Sequence, residues 1–182
     1  MRNLMLGLIL MMVCTWSAAP LAYGSELVIA TPEEIEGTDI QQIEWENIVH
    51  SLVTVPMIRF NPQMSKVEPF MVSEWSLSED GKTMRLTIPE GLTFSSGNPL
   101  DTEAIKASFE RYLKISPYAT DLEALDKITV EGDVLVMHWK APPVPAMVSL
   151  ASSYGGLVDV KAAEKVSAEE FNRKVVGYGP ML

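Results

Sequence analysis

Trp75-Ser76-Leu77-Ser78-Glu79-Asp80-Gly81-Lys82-Thr83-Met84-Arg85-Leu86-Thr87-Ile88 is the stretch that decides the fold. Trp75 and Leu77 alternate with Ser76 and Ser78, and Met84, Leu86 and Ile88 alternate with Thr83, Arg85 and Thr87. A period of two on both sides of an Asp-Gly pair predicts a β-hairpin with one buried face. Gly81 suits such a turn because it adopts a positive φ without steric cost.

Downstream, Asp101 is placed to cap a helix, with Thr102 and Glu103 in its first turn, where negative charge suits the helix dipole. Ile105, Phe109, Tyr112 and Leu113 share one face of that helix. A second hairpin is expected from Lys127–Glu131 and Val134–Trp139 around Gly132-Asp133. The run Val134 to Met137 is continuously apolar, which predicts a strand covered on both faces. Pro142, Pro143 and Pro145 then interrupt the chain. Met147–Ala151, Val160–Val166 and Ala168–Lys174 read as short helices, and Gly177, Gly179 and Pro180 as a turn. Met181-Leu182 reads as the start of a further strand.

Upstream, Glu26–Thr31 (ELVIAT) reads as a strand ended by Pro32, and Gln41–Leu52 as an amphipathic helix. Val53–Phe60 reads as a short or edge strand, because Pro56 cannot donate to a ladder. The sum is an α+β chain, mixed in its helices and strands, with no internal repeat.

Arg2, the apolar run Leu4–Trp16 and the small residues leading to Ala22-Tyr23-Gly24 have the layout of a secretory signal. The run falls short of the roughly 20 residues a membrane crossing needs. Residues 1–24 are therefore expected to be a cleaved signal peptide and residues 25–182 the mature part, periplasmic or extracellular. Cys14, the only cysteine, lies in the apolar run behind Val13, which is too large for lipid attachment. The mature part then has no thiol and no disulfide. It keeps 13 basic residues against 24 acidic ones. Such an acidic surface disfavours nucleic acid and anionic membranes.

Little in the sequence points to bond-making chemistry. His50 and His138 stand apart from any His-x-x-x-His or Glu-x-x-His spacing, so no metal site is expected. His50 reads as helix surface and His138 as a strand residue. There is no phosphate cradle and no nucleophile elbow, and no catalytic residue is assigned. Glu33, Glu34 and Glu36 read as a solvated loop, and Trp45, Trp75 and Trp139 as packing residues. Tyr178, between two glycines, reads either as a ligand-facing side chain or as a buried turn residue.

Several segments carry a resemblance, in order along the chain. They are ELVIAT, Glu68-Pro69-Phe70-Met71-Val72-Ser73-Glu74-Trp75, Ser78-Glu79-Asp80-Gly81-Lys82-Thr83 and Pro89-Glu90-Gly91-Leu92-Thr93-Phe94. Asn98-Pro99-Leu100-Asp101-Thr102-Glu103-Ala104-Ile105, the helix ending in Glu110-Arg111, and Val175-Val176-Gly177-Tyr178-Gly179-Pro180 follow. Together they resemble extracytoplasmic solute-binding proteins of family 5, the peptide and nickel ABC-importer family. The resemblance implies a fragment of the type II periplasmic-binding-protein fold: the first strand of lobe I plus the inserted extra domain, with the second lobe absent. It implies capture of a peptide or similar small solute for the membrane permease of an ABC importer, by a monomer with no cofactor. Thr31, Pro32, Gly177, Tyr178 and Gly179 are the candidate ligand-binding residues. The sequence departs from the family at Ser95-Ser96-Gly97 and at the loop Glu36-Gly37-Thr38-Asp39-Ile40, which borders the ligand cleft in relatives. The chain is expected to be a truncated or split copy that binds weakly or not at all alone. The alternative expectation is an exported α+β interaction domain without transport function.

Overall fold

The computed structural model describes residues 28, 30, 32, 34–43, 48–174 and 176–180. The chain divides into two units, Met1–Ala30 and Thr31–Leu182, and the architecture below is that of the second. The expected strand Glu26–Thr31 and the residue Trp45 lie outside the described residues, apart from Val28 and Ala30 of that strand.

The hairpin predicted from the Asp-Gly turn is present as β3 (Glu74–Leu77) and β4 (Thr83–Thr87), paired antiparallel with Leu77 opposite Met84. Its turn is closed by Asp80, whose carboxylate accepts from the Ser78 hydroxyl at 2.6 Å and the Lys82 amide at 3.0 Å. Gly81 has φ +69°, as the turn requires. The second hairpin is β5 (Leu125–Glu131) and β6 (Val134–Trp139), reversing at Gly132 with φ +66°. The two hairpins join through β4 and β6, giving one antiparallel sheet in the order β3-β4-β6-β5.

Met84 and Leu86 of β4 and Leu135 and Met137 of β6 turn to one face, each fully buried. Helix α2 (Thr102–Ile115) lies against that face through Ile105, Phe109 and Tyr112. Asp101 caps it as predicted, accepting from the Ala104 amide at 2.9 Å. Leu113, expected on the same face, is 39% exposed, because it lies one residue around the helix from Tyr112.

The opposite face of the sheet is largely polar, yet β6 is covered there too, as its apolar run predicts, with Val136 only 1% exposed. Arg85 of β4 reaches across β6 to Glu131 of β5, at 2.7 Å. Val136, opposite Arg85 and Thr129, is buried beneath these side chains rather than under a second layer.

The edge strand expected before Phe60 is β1 (Ile58–Phe60). It pairs with β2 (Val67–Pro69), which the alternation pattern does not predict. Helix α1 (Ile48–Val53) covers the end of the expected amphipathic helix, but its inward residue is His50, fully buried, while Ile48 is 49% exposed. His50 is therefore not a surface residue: its Nε2 lies 3.2 Å from the Gly37 carbonyl oxygen. The remaining helices are α3 (Val144–Leu150), α4 (Val160–Ala163) and α5 (Ala168–Arg173), close to their predicted places. A smaller core of Ile40, Ile43, Val158 and Phe171 lies among the upstream loop, α4 and α5.

Candidate functional site

The loop from Glu36 to Gln42 is tied down by residues far away in sequence. From α5, the Asn172 carbonyl accepts from the Thr38 amide at 2.7 Å and the Thr38 hydroxyl at 2.8 Å. The Asn172 side-chain oxygen accepts from the Asp39 amide at 3.0 Å. The Asn172 side chain also occupies the place a Cβ on Gly37 would take, so that glycine is a requirement of close packing.

Asp39 is fully buried and its charge is met by Arg111 of α2. Arg111 Nη1 donates to Asp39 Oδ1 at 3.2 Å and Nη2 to Oδ2 at 2.5 Å, a two-pronged contact. Nη1 also donates to Gln41 Oε1 at 2.7 Å, and the guanidinium sits 5.3 Å from the Phe171 ring centre. The Gln41 amide group then donates to the Ser108 carbonyl at 3.2 Å and the Ser108 hydroxyl at 3.0 Å. Gln41 and Ser108 are both buried.

The return segment around Gly177 is held in a similar way. Val158 and Gly177 form an isolated antiparallel bridge, and the Asp159 amide donates to the Val176 carbonyl at 2.9 Å. Asp159, buried, caps α4 and accepts from Ser96 Oγ and Asn98 Nδ2, each at 2.6 Å. The Ser95 amide donates to the Gly177 carbonyl at 3.1 Å. The two segments in which the sequence departs from the family pattern, Glu36–Ile40 and Ser95–Gly97, thus face one groove, together with Val176 beside Gly177. The groove has a volume of about 740 Å³, with Thr38, Ser95, Ser96, Val53, Phe171 and Val176 among its lining residues.

Four of the five sequence candidates fall among the described residues, three of them consecutive. Thr31 lies outside the described residues, and Pro32 is exposed. Gly177 is buried, and a Cβ on it would stand 2.2 Å from the Val53 carbonyl oxygen. A Cβ on Gly179 would stand 2.2 Å from the Leu52 carbonyl oxygen. Both glycines thus let the chain pass close under the end of α1. Tyr178 is half-buried and packs against the main core. Glu34 and Glu36 are exposed, as a solvated loop requires. Gln41, Ser108 and Asn172 escaped sequence reasoning, while Asp39 stood out only as part of its loop and Arg111 only as the end of its helix. The one local signal was Ser108 and Arg111, polar residues three apart beside the apolar face of α2.

Residues 66–181 match the profile of bacterial extracellular solute-binding proteins, family 5 Middle. The chain belongs to this family. The match takes in the sheet, α2 and the Gly177 turn. A curated relative, the probable D,D-dipeptide-binding periplasmic protein DdpA of Escherichia coli, is 27% identical over 64% of this chain and 24% of its own length. The nickel-binding periplasmic protein of the same organism is 29% identical over 44% of this chain and 17% of its own length. Among solved structures, a nickel ABC transporter protein from Bacillus halodurans is 28% identical, with a TM-score of 0.60, over 71% of this chain and 26% of that one. The chain thus spans about a quarter or less of the length of these relatives. The fold is a mixed helix-and-sheet part of the type II periplasmic-binding-protein architecture, and the family is one of bacterial extracellular solute-binding proteins.

Proposed function

We propose that this family-5 protein acts as the substrate-binding component of an ABC importer for peptides or similar small solutes. The observation that carries the reading is the family match over residues 66–181. In this reading residues 1–24 direct export. Residues 25–182 supply the start of lobe I and the inserted domain, and the partner is a membrane permease. The groove beside Thr38, Ser95 and Val176 lies in the solute-handling part in this reading, and Thr31, Pro32, Gly177, Tyr178 and Gly179 stay as the ligand-binding candidates of the sequence. Binding of this kind uses backbone hydrogen bonds and exclusion of water, with no covalent step, so the protein is not an enzyme. It works as a monomer without a cofactor, and its acidic surface leaves nucleic acid aside.

Uptake measured in the source organism tests the proposal. Deleting the gene is expected to lower import of labelled di- and tripeptides. Unchanged uptake of peptides and of nickel alike would rule the importer role out.

A further inference from the structure

We propose that Arg111 and Ser108 are positioning residues that set the two walls of the groove against each other. The inference rests on the reading of the groove as part of the solute-handling region. One wall is the loop bearing Thr38, and the other is the Val158–Gly177 bridge with Val176 beside it. Helix α2 holds both. The Ser108 hydroxyl oxygen accepts from Gln41 Nε2 of the first wall at 3.0 Å and from the Val158 amide of the second at 3.1 Å. Both lone pairs of one oxygen are thereby used, one for each wall. Arg111 fixes the first wall in turn, gripping the buried Asp39 carboxylate with two nitrogens and Gln41 with one of them.

The ladder has the features of a rigid link. Asp39, Gln41 and Ser108 are each no more than 1% exposed, so water does not compete for these bonds. Each group is matched to a donor or acceptor, which leaves one arrangement of lowest energy. The Arg111 fork contacts both Asp39 oxygens and Gln41 together, and a lysine ammonium has no such planar fork. The spacing of the walls is therefore set on a helix, outside the groove itself, and a change at Arg111 is transmitted to Val158 without touching it.

Amide hydrogen exchange on the 182-residue chain, read residue by residue by NMR, tests this with Arg111→Lys and Ser108→Ala. In Arg111→Lys, exchange is expected to rise by about tenfold at Gln41 and also at Val158 and Asp159, while Leu86 and Leu135 of the central strands keep their rates. Ser108→Ala is expected to give the same pattern, strongest at Val158. A rise confined to the Asp39–Gln42 loop would overturn the proposal, because the walls would then be independent. An equal rise throughout the sheet would also overturn it, since that marks a purely structural role.

Titration with the dipeptide Ala-Leu and with the nickel–histidine complex separates the inference from the functional reading. Where either probe binds, Arg111→Lys is expected to weaken it by about tenfold. Equal affinity in both proteins overturns the positioning role. If neither probe binds the parent chain, the solute-binding reading of this chain fails, and the exchange pattern alone decides the link between the walls.

Discussion

The backbone asks different things of Gly177, in its bridge to Val158, and of Gly97, in a turn. At Gly177 the obstacle is space: a Cβ would fall 2.2 Å from a main-chain oxygen at the end of α1, and a helix end cannot move aside as a flexible side chain can. At Gly97 the space is open, and the obstacle is φ of +84°. Gly177→Ala is expected to cost about 3 kcal/mol, the upper end of overpacking penalties. Gly97→Ala is expected to cost about 1–2 kcal/mol, the penalty of a left-handed residue with a side chain. Urea midpoints of the two variants check this, and the reverse order would show that α1 yields. A loss of binding in Gly177→Ala would accordingly report packing before it reported contact with a solute. Asp80 gives a prediction in pH. The Ser78 hydroxyl, followed by the Lys82 amide, holds its carboxyl below the usual aspartate range. A value depressed by folding means the turn is supported above the unfolded pKa, and the support fades as pH falls through the folded one. Between about pH 5 and pH 2, the parent chain is expected to lose stability faster than Asp80→Asn, whose turn does not titrate. Thermal melts at stepped pH measure the difference, and parallel curves would remove Asp80 from the account.

Helix α2 is the element on which both the core and the groove rest, and its start depends on one side chain. Asp101→Ala leaves the Ala104 amide without its acceptor and is expected to cost about 1 kcal/mol. Asp101→Asn should recover most of that, because an amide oxygen caps nearly as well. Denaturant midpoints distinguish this from a simple charge effect, in which Asn would be no better than Ala. The same helix shows which elements the sequence could reveal. α2 and both hairpins declare themselves locally, through a cap, a repeating face or a turn between alternating strands. β2 does not, since three residues ending in proline have no period. Its place is set by the loop before it, where the Asn61 side-chain oxygen accepts from the Ser65 amide at 2.8 Å and the Lys66 amide at 3.1 Å. α1 was legible as a helix but not in its facing. Hydropathy points Ile48 inward, whereas the structure buries His50, whose ring nitrogen lies beside the Gly37 carbonyl across the turn of chain before it. Helices this short take their orientation from such contacts more than from an apolar stripe.

At the scale of the whole molecule, the candidate site was legible as three separate pieces of sequence and not as a place. Glu36–Ile40, Ser95–Gly97 and Gly177–Gly179 stood out one by one, but only the fold sets the first two, with Val176 beside Gly177, around a groove. The residues that hold them there, Ser108, Arg111 and Asn172, pair across 50 to 136 positions, and no periodicity reports a partner at that distance. Charge, by contrast, is a property the sequence states outright. The chain has 24 acidic and 14 basic residues, a net charge of −10. Among the described residues four ion pairs are present, and only Arg111–Asp39 is shielded from solvent. The other three are exposed pairs, each worth about 0–1 kcal/mol. They are too few to offset repulsion among the unpaired carboxylates, which acts over the Debye length of about 10 Å at 0.1 M salt. Raising sodium chloride from about 10 mM to about 300 mM shortens that range several-fold and leaves the buried pair almost untouched. The thermal midpoint at neutral pH is therefore expected to rise with salt. A fall would mean that the exposed pairs contribute more than the repulsion does. To separate the two, the same titration on Arg85→Gln removes one exposed pair and raises the net negative charge, so its midpoint should climb more steeply with salt than the parent's.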